Sequence, residues 1–313
     1  MQSTLNHQND AECWIIDDQR PGHINQSRAL ADALGLESDP LMIPMEQAAA
    51  AARKVDVRRR LLLGCGRRAA QQVQNICHQQ PGSWISIQIL DPRRNRQAFD
   101  WLLVPEHDRL NESHILPFSG ALNAIDDQWL DQMRDRWPEF AQLPEPRLAM
   151  LLGGPVRHCR WTRRQLSGWL ERAGQICQET RGSLLLVTSR RTPDWAIDQL
   201  QTNAPVAARV IDWRAQTNGY PGVLAWANRT WVSADSISML AEACATNLTV
   251  TALAASECRG RHRQYVASLS RRGRLASTEP LLTVSPIRET SRLAATLIKR
   301  GALLGLGKQP RID

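Results

Sequence analysis

Two adjacent aspartates precede a histidine in Asp17-Asp18-Gln19-Arg20-Pro21-Gly22-His23-Ile24-Asn25-Gln26-Ser27, directly after the apolar run Cys13 to Asp17. An imidazole with an unperturbed pKa of about 6.5 can accept a proton from a hydroxyl nucleophile, so His23 is a candidate general base, with Asp17 and Asp18 as alternatives beside it. Gly22 would let the backbone approach a ligand at the start of the following helix. A capping histidine on a surface loop fits the same residues.

A second polar turn, Ser233-Ala234-Asp235-Ser236-Ile237-Ser238-Met239, leads to Glu242. Ser238 and Glu242 lie one helical turn apart on a face distinct from the apolar stripe Ile237, Leu240, Ala241 and Cys244. Hydroxyls and free amides at such a helix start can hold phosphate, and a carboxylate one turn deeper can accept both hydroxyls of a ribose. Plain N-capping by Asp235 or Ser236, with a solvated Glu242, is the alternative. A third turn, Thr188-Ser189-Arg190-Arg191-Thr192-Pro193, offers two arginines and hydroxyls as a diphosphate clamp, or else a basic surface turn. Gly64-Cys65-Gly66 and Gly153-Gly154-Pro155 are weaker signals, since a glycine pair also serves tight helix packing. No P-loop and no G-x-G-x-x-G stands at these turns, which removes support for P-loop and nicotinamide chemistry.

These turns need strands before them and helices after them. The chain supplies both: apolar runs at Cys13–Asp17, Leu41–Ile43, Arg60–Leu63, Trp84–Ile89 and Phe99–Val104 alternate with helical periods, and an irregular stretch follows. Pro138, Pro144 and Pro146 mark a linker, after which strands are expected at Leu148–Leu152, Ser183–Thr188, Ala207–Ile211, Thr230–Ser233 and Leu248–Leu253. Leu166, Trp169, Leu170, Ala173, Ile176 and Cys177 make one buried stripe behind the Thr162 cap. The expectation is an α/β fold of two parallel-sheet domains, 1–140 and 146–287, with the helix of 288–313 crossing back to the first. Ligands in such folds collect beyond the carboxyl ends of the strands.

At 313 residues, the chain exceeds what one hydrophobic core of roughly 150 residues usually serves. Its longest apolar runs fall far short of the roughly 20 residues of a membrane span, and Met1 to Asp10 lacks the pattern of a secretory signal, so a cytoplasmic location is expected. The seven cysteines form no C-x-x-C and read as reduced core residues; no metal site is expected. A net charge of +8, carried almost wholly by arginine, suggests anionic partners. The runs Arg58–Arg60, Arg259–Arg263 and Arg271–Arg272 lack interleaved aromatics, which argues against nucleic acid. Arg259–Arg263 suits a phosphorylated acceptor or an anionic membrane surface instead.

The form D-x-x-x-G-H-x-x-Q-S-x-x-L-A-x-x-L from Asp17 to Leu34 resembles the opening of the mitochondrial-fission ELM (elongated mitochondria) family. So do Asp91-Pro92-Arg93, Phe99-Asp100, Val104 to Asp108, Leu152 to Pro155, Thr188 to Pro193 and Ala234 to Thr246. Bacterial members of that family look like GT-B glycosyltransferases, and the block Leu224 to Ala243 is similar to the donor domain of the peptidoglycan-precursor N-acetylglucosaminyltransferase. The resemblance implies a GT-B fold, two Rossmann-like domains facing a central cleft. It also implies transfer from a nucleotide-sugar co-substrate to a lipid-linked or cell-envelope acceptor, with no cofactor and with peripheral contact at the inner membrane. It places ribose on Glu242 and phosphate contact on Ser236, Ser238 and Met239; Ser189, Arg190, Arg191, Gly153 and Gly154, in their own turns, are the further donor-side candidates. The acceptor side falls to Gly22 and His23, and Asn25, Gln26, Gly64 and Gly66, in the turns after the first and third strands, are further acceptor-side candidates. A non-catalytic recruiter on the same fold and a nucleotide-sugar epimerase are the alternative functions.

Overall fold

The computed structural model describes residues 12–36, 39–55, 59–205, 208–215, 218–276 and 284–302. The reading of Met1 to Asp10, and the expectations at Arg58 and Ala207, lie outside the described residues. By internal contacts the chain forms two compact units, Met1–Ala124 with Glu289–Asp313, and Ile125–Arg288.

In the first unit six parallel strands, β1 (Cys13–Asp17), β2 (Leu41–Pro44), β3 (Arg60–Cys65), β4 (Trp84–Ile89), β5 (Trp101–Pro105) and β6 (Ile115–Phe118), stand in the order β2-β1-β3-β4-β5-β6. Helices α1 (Pro21–Ala33), α2 (Ala48–Ala52) and α3 (Gly66–Gln79) connect the early strands. Because side chains alternate along a strand, each strand feeds two cores. Cys13, Ile15, Leu61, Leu63 and Ile87 pack with Leu30 of α1 and Leu34 directly after it. Trp14, Ile16 and Leu62 pack on the opposite face with Ala69, Val73 and Ile76 of α3.

The second unit holds β7 (Arg147–Leu151), β8 (Ser183–Val187), β9 (Ala208–Ile211), β10 (Arg229–Ser233) and β11 (Val250–Leu253), all parallel, in the order β11-β10-β7-β8-β9. Its helices are α4 (Asp127–Arg136), α5 (Arg163–Thr180), α6 (Asp194–Asn203), α7 (Tyr220–Trp226), α8 (Ile237–Cys244) and α9 (Gly260–Arg271). The expected stripe on α5 is buried apart from the half-buried Trp169, against Leu148, Met150 and Leu184, and Thr162 caps it in a full capping box with Gln165.

Two elements were not anticipated in the stretch read as irregular. β6 has only four residues and contains Pro117, and α4 buries Leu130 alone, so neither carries a strong periodic signal; α4 is fixed by its Asp126 cap, which accepts from Trp129 N at 2.7 Å. The proline-rich stretch expected as a linker packs onto the second unit. Phe140 is buried, and Arg147 donates to the carbonyls of Leu143 and Ala141. Pro138 opens a short 3-10 helix, Pro138–Gln142, and the prolines do not prevent burial. The last helix, α10 (Glu289–Lys299), packs with the first unit, placing Leu293, Ala294 and Leu297 in the core beside α1. Leu297→Ala should lower unfolding stability by about 2–5 kcal/mol, read by denaturant titration, because it empties a fully buried site.

Candidate functional site

Where strand order reverses in a parallel sheet, the two flanking crossovers leave toward opposite faces and open a crevice at the carboxyl ends. In the first unit that point lies between β1 and β3, and in the second between β7 and β10. All four turns that follow these strands were singled out in the sequence.

In the first unit the Asp18 carboxylate is buried at 3% exposure, and its Oδ2 meets His23 Nδ1 at 2.8 Å. A carboxylate only accepts, so Nδ1 carries the proton and Nε2 is left as the basic nitrogen. Asp18 Oδ1 also accepts from Arg20 N, while Asp17 Oδ1 accepts from Gln19 N at 2.6 Å and so serves the turn. The His23 ring lies on Gly66, whose φ is +78°; a Cβ there would come within 2.4 Å of His23 Cε1. Gly66 is therefore the glycine that makes room for the imidazole. Gly64 has a different role: it sits in the buried strand β3, and a Cβ would meet Gln88 Oε1 at 2.6 Å and Val73, which fits close packing rather than ligand approach. Gln26 is also internal. It is buried, donates to Gly22 O and accepts from Leu122 N, whereas Gly22 and Asn25 are exposed.

In the second unit Asp235 organises the turns. At 2% exposure, its Oδ2 accepts from Gly154 N at 2.8 Å and lies 3.4 Å from Arg191 Nη2, while Oδ1 accepts from Trp161 Nε1 at 2.9 Å. Burial raises its pKa, and the bonds from Trp161, Ser233 and Gly154 and the charge of Arg191 oppose that rise. Gly153 N donates to Ser233 Oγ at 2.7 Å, so both glycine amides are occupied within the protein. A Cβ on Gly153 would fall 2.2 Å from Asp235 Oδ2, and one on Gly154 would fall 1.8 Å from Arg191 O. These glycines thus admit the chain's own carboxylate and carbonyl, and the expectation that their backbone meets a donor nucleotide does not fit this geometry.

Ser236 caps α8 by accepting from Met239 N at 3.4 Å, and Met239 is buried, so its amide and side chain are both engaged. Ser189 Oγ accepts from Arg191 N and lies 3.3 Å from Thr192 Oγ1, inside its own turn. Ser238, Arg190 and Arg191 are exposed. Glu242 is half-buried, and its Oε2 accepts from Tyr220 Oη. Burial pushes its carboxyl up to about 7, against the lowering effect of the tyrosine bond. Tyr220 was not expected as a partner; the two residues are 22 positions apart, a distance local patterns do not report. Among the described residues no group of three or more His, Cys, Asp or Glu side chains could hold a metal ion, no helix is long and apolar enough to cross a membrane, and the cysteines are free.

The fold is GT-B, two Rossmann-like α/β units each with a parallel sheet. A UDP-GlcNAc 2-epimerase from Methanocaldococcus jannaschii superposes with a TM-score of 0.51 at 12% identity, over 96% of this chain and 94% of that one. A putative UDP-N-acetylglucosamine 2-epimerase from Listeria monocytogenes gives 0.50 at 11% identity, over 96% and 92%. By sequence the chain belongs to the Mitochondrial fission ELM1 family, which it matches over residues 21–301. A curated relative, Mitochondrial fission protein ELM1 of Arabidopsis thaliana, is 27% identical over 274 residues, 77% of this chain, and the chain spans 63% of that relative's length.

The Glu242 carboxyl has a directional consequence. Its folded-state pKa, about 7, lies above the ordinary value of 4.5, so its contribution to stability is fully present below about pH 4.5 and is lost as pH rises toward 7. Glu242→Gln should flatten that part of the curve, seen as a difference between variant and parent melting temperatures that grows from pH 4.5 to 7.5.

Proposed function

We propose that this protein is a glycosyltransferase that holds a nucleotide-sugar on its second unit and deprotonates an acceptor hydroxyl with His23 on its first. The observation that carries the reading is the set at the second switch point: the half-buried Glu242 carboxyl on Tyr220 and the exposed Ser238 of α8, with exposed Arg191 beside Asp235 just ahead of that helix and Arg190 next to it in the chain. A carboxylate at that depth can accept both ribose hydroxyls, and the helix dipole with two guanidinium groups can offset the charge of a departing diphosphate. That charge compensation asks for no divalent cation. On the first unit, Asp18 holds His23 so that Nε2 takes the hydroxyl proton while the acceptor oxygen attacks the anomeric carbon. Gly22, Asn25 and Gly66 border that histidine in the chain or in space. A lipid-linked or envelope acceptor met at the inner-membrane surface, from the cytoplasmic side, suits the excess of arginine.

The solved relatives named above act on, or are assigned to, a UDP-sugar, which makes uridine nucleotides the first probes. Thermal shift with UDP, GDP, ADP and CDP and their sugars should find one stabilising series, since a ligand that binds the native state raises its melting temperature. Glu242→Ala should weaken that ligand tenfold or more. His23→Ala should leave its affinity unchanged and lower sugar transfer by about 10²–10⁴-fold, the usual contribution of a general base. Free epimerised sugar as the product would favour an epimerase. A relative named for mitochondrial fission makes the recruiter reading concrete: it gains if no nucleotide binds and His23→Ala leaves function intact.

A further inference from the structure

Two of the seven cysteines differ from the rest in where they stand. Cys13, Cys65, Cys77, Cys177 and Cys244 lie within β1, β3, α3, α5 and α8, whereas Cys159 and Cys258 lie in loops. Cys159 belongs to the turn between β7 and α5, and Cys258 joins the short turn Ala255–Glu257 to α9. They are far apart in the sequence, but the sheet order brings them together. β7 and β11 both flank β10, and their carboxyl-end loops meet where Arg259 N donates to the His158 carbonyl at 2.7 Å.

The two thiols face one another. Each Sγ lies 3.7 Å from the same acceptor, the Ala254 carbonyl, and Cys159 and Cys258 are hydrogen-bonded to each other. Both side chains are buried, yet their chain neighbours reach solvent: Arg157, His158 and Arg160 around Cys159, and Ser256, Glu257, Arg259 and Gly260 around Cys258 are exposed. The bond from Cys159 holds the Cys258 thiol below its ordinary value, against burial and the charges of Asp235 and Glu257. The same bond, then burial, holds the Cys159 thiol above its own. Since the thiolate is the nucleophile, the pair has a first reactant, Cys258, and a second, Cys159.

We propose that Cys159 and Cys258 form a redox-modification site, in which a hydroperoxide oxidises Cys258 and Cys159 resolves the product into a disulfide. The Cys258 sulfur attacks a peroxide oxygen: an S–O bond forms, the O–O bond breaks, and the departing oxygen takes up the thiol proton and leaves as water or an alcohol. The Cys159 sulfur then displaces the hydroxyl of that sulfenic acid. An S–S bond forms, the S–O bond breaks, and the hydroxyl leaves as water with the Cys159 proton. Each sulfur gives up one electron, and the peroxide accepts both. A dithiol reverses the change by exchange. Closing the sulfurs to about 2.05 Å asks two loops to approach and leaves the sheet as it is.

The test needs no nucleotide, so its outcome is independent of the glycosyltransferase reading. The folded full chain, exposed briefly to hydrogen peroxide, then alkylated and mapped without reductant, should yield a linked peptide pair holding Cys159 and Cys258, lost after dithiothreitol. The link should form at least about tenfold faster than the chain unfolds globally, as read by exchange of core amides. Cys258→Ser should abolish it. In Cys159→Ser, where a hydroxyl can still donate to Cys258, dimedone should label Cys258 as its sulfenic acid. No such link in the parent, links among the other cysteines in its place, formation no faster than global unfolding, or a Cys159→Ser chain that traps no sulfenic acid at Cys258 would each overturn the proposal.

Discussion

The reversal of strand order, once in each sheet, is the constraint on which the candidate chemistry depends. A parallel sheet sends every helix away from the carboxyl end of a strand, and only where the order reverses do neighbouring helices leave on opposite faces with their N-termini at a common edge. β1 against β3 and β7 against β10 are those places. At both, a buried aspartate stands just past the strand: Asp18 after β1 and Asp235 after β10. Each uses its oxygens to fix the turns around it. Asp18 orients His23 and the start of α1; Asp235 ties Gly154, Trp161 and Arg191 into one assembly.

These carboxylates explain why glycine recurs beside them. A buried ionised oxygen needs donors at close range, and backbone amides deliver them only if no Cβ intervenes. Gly154 N donates to Asp235 and the missing Cβ of Gly153 leaves room for its Oδ2, while Gly66 makes the same allowance for the His23 ring. The glycines therefore act on ligands at one remove, through the side chains they allow into place. Tyr220 works similarly on Glu242, fixing a carboxyl that desolvation would otherwise leave without a donor.

Much of the architecture was legible because parallel strands buried on both faces are rich in apolar residues: β1 and β4 were bounded as they occur, although β4 also buries Ser86 and Gln88, and the α5 stripe followed its helical period. Elements lacking those signals escaped, notably β6 with its internal proline and the largely polar α4. At the site, types and turns were readable but pairings were not. Asp18 and His23 appeared as rival bases, whereas they form one hydrogen-bonded pair. Asp235 looked like a cap, yet its partners Trp161 and Arg191 lie 74 and 44 residues away in sequence. Gly64 and Gly66 share a turn in the sequence but face different neighbours, because one lies within the strand and the other opens the helix. Partners this distant come from topology, and no short-range pattern encodes them.

Hydrogen exchange of the parent chain with and without saturating UDP examines the nucleotide site without needing an acceptor or a turnover assay. The account predicts slowed exchange confined to the carboxyl-end turns of the second sheet, strongest across Ser236 to Glu242 and in the turn of Arg190 and Arg191. Protection elsewhere with those segments unchanged, or none at all with any nucleoside diphosphate, would contradict it.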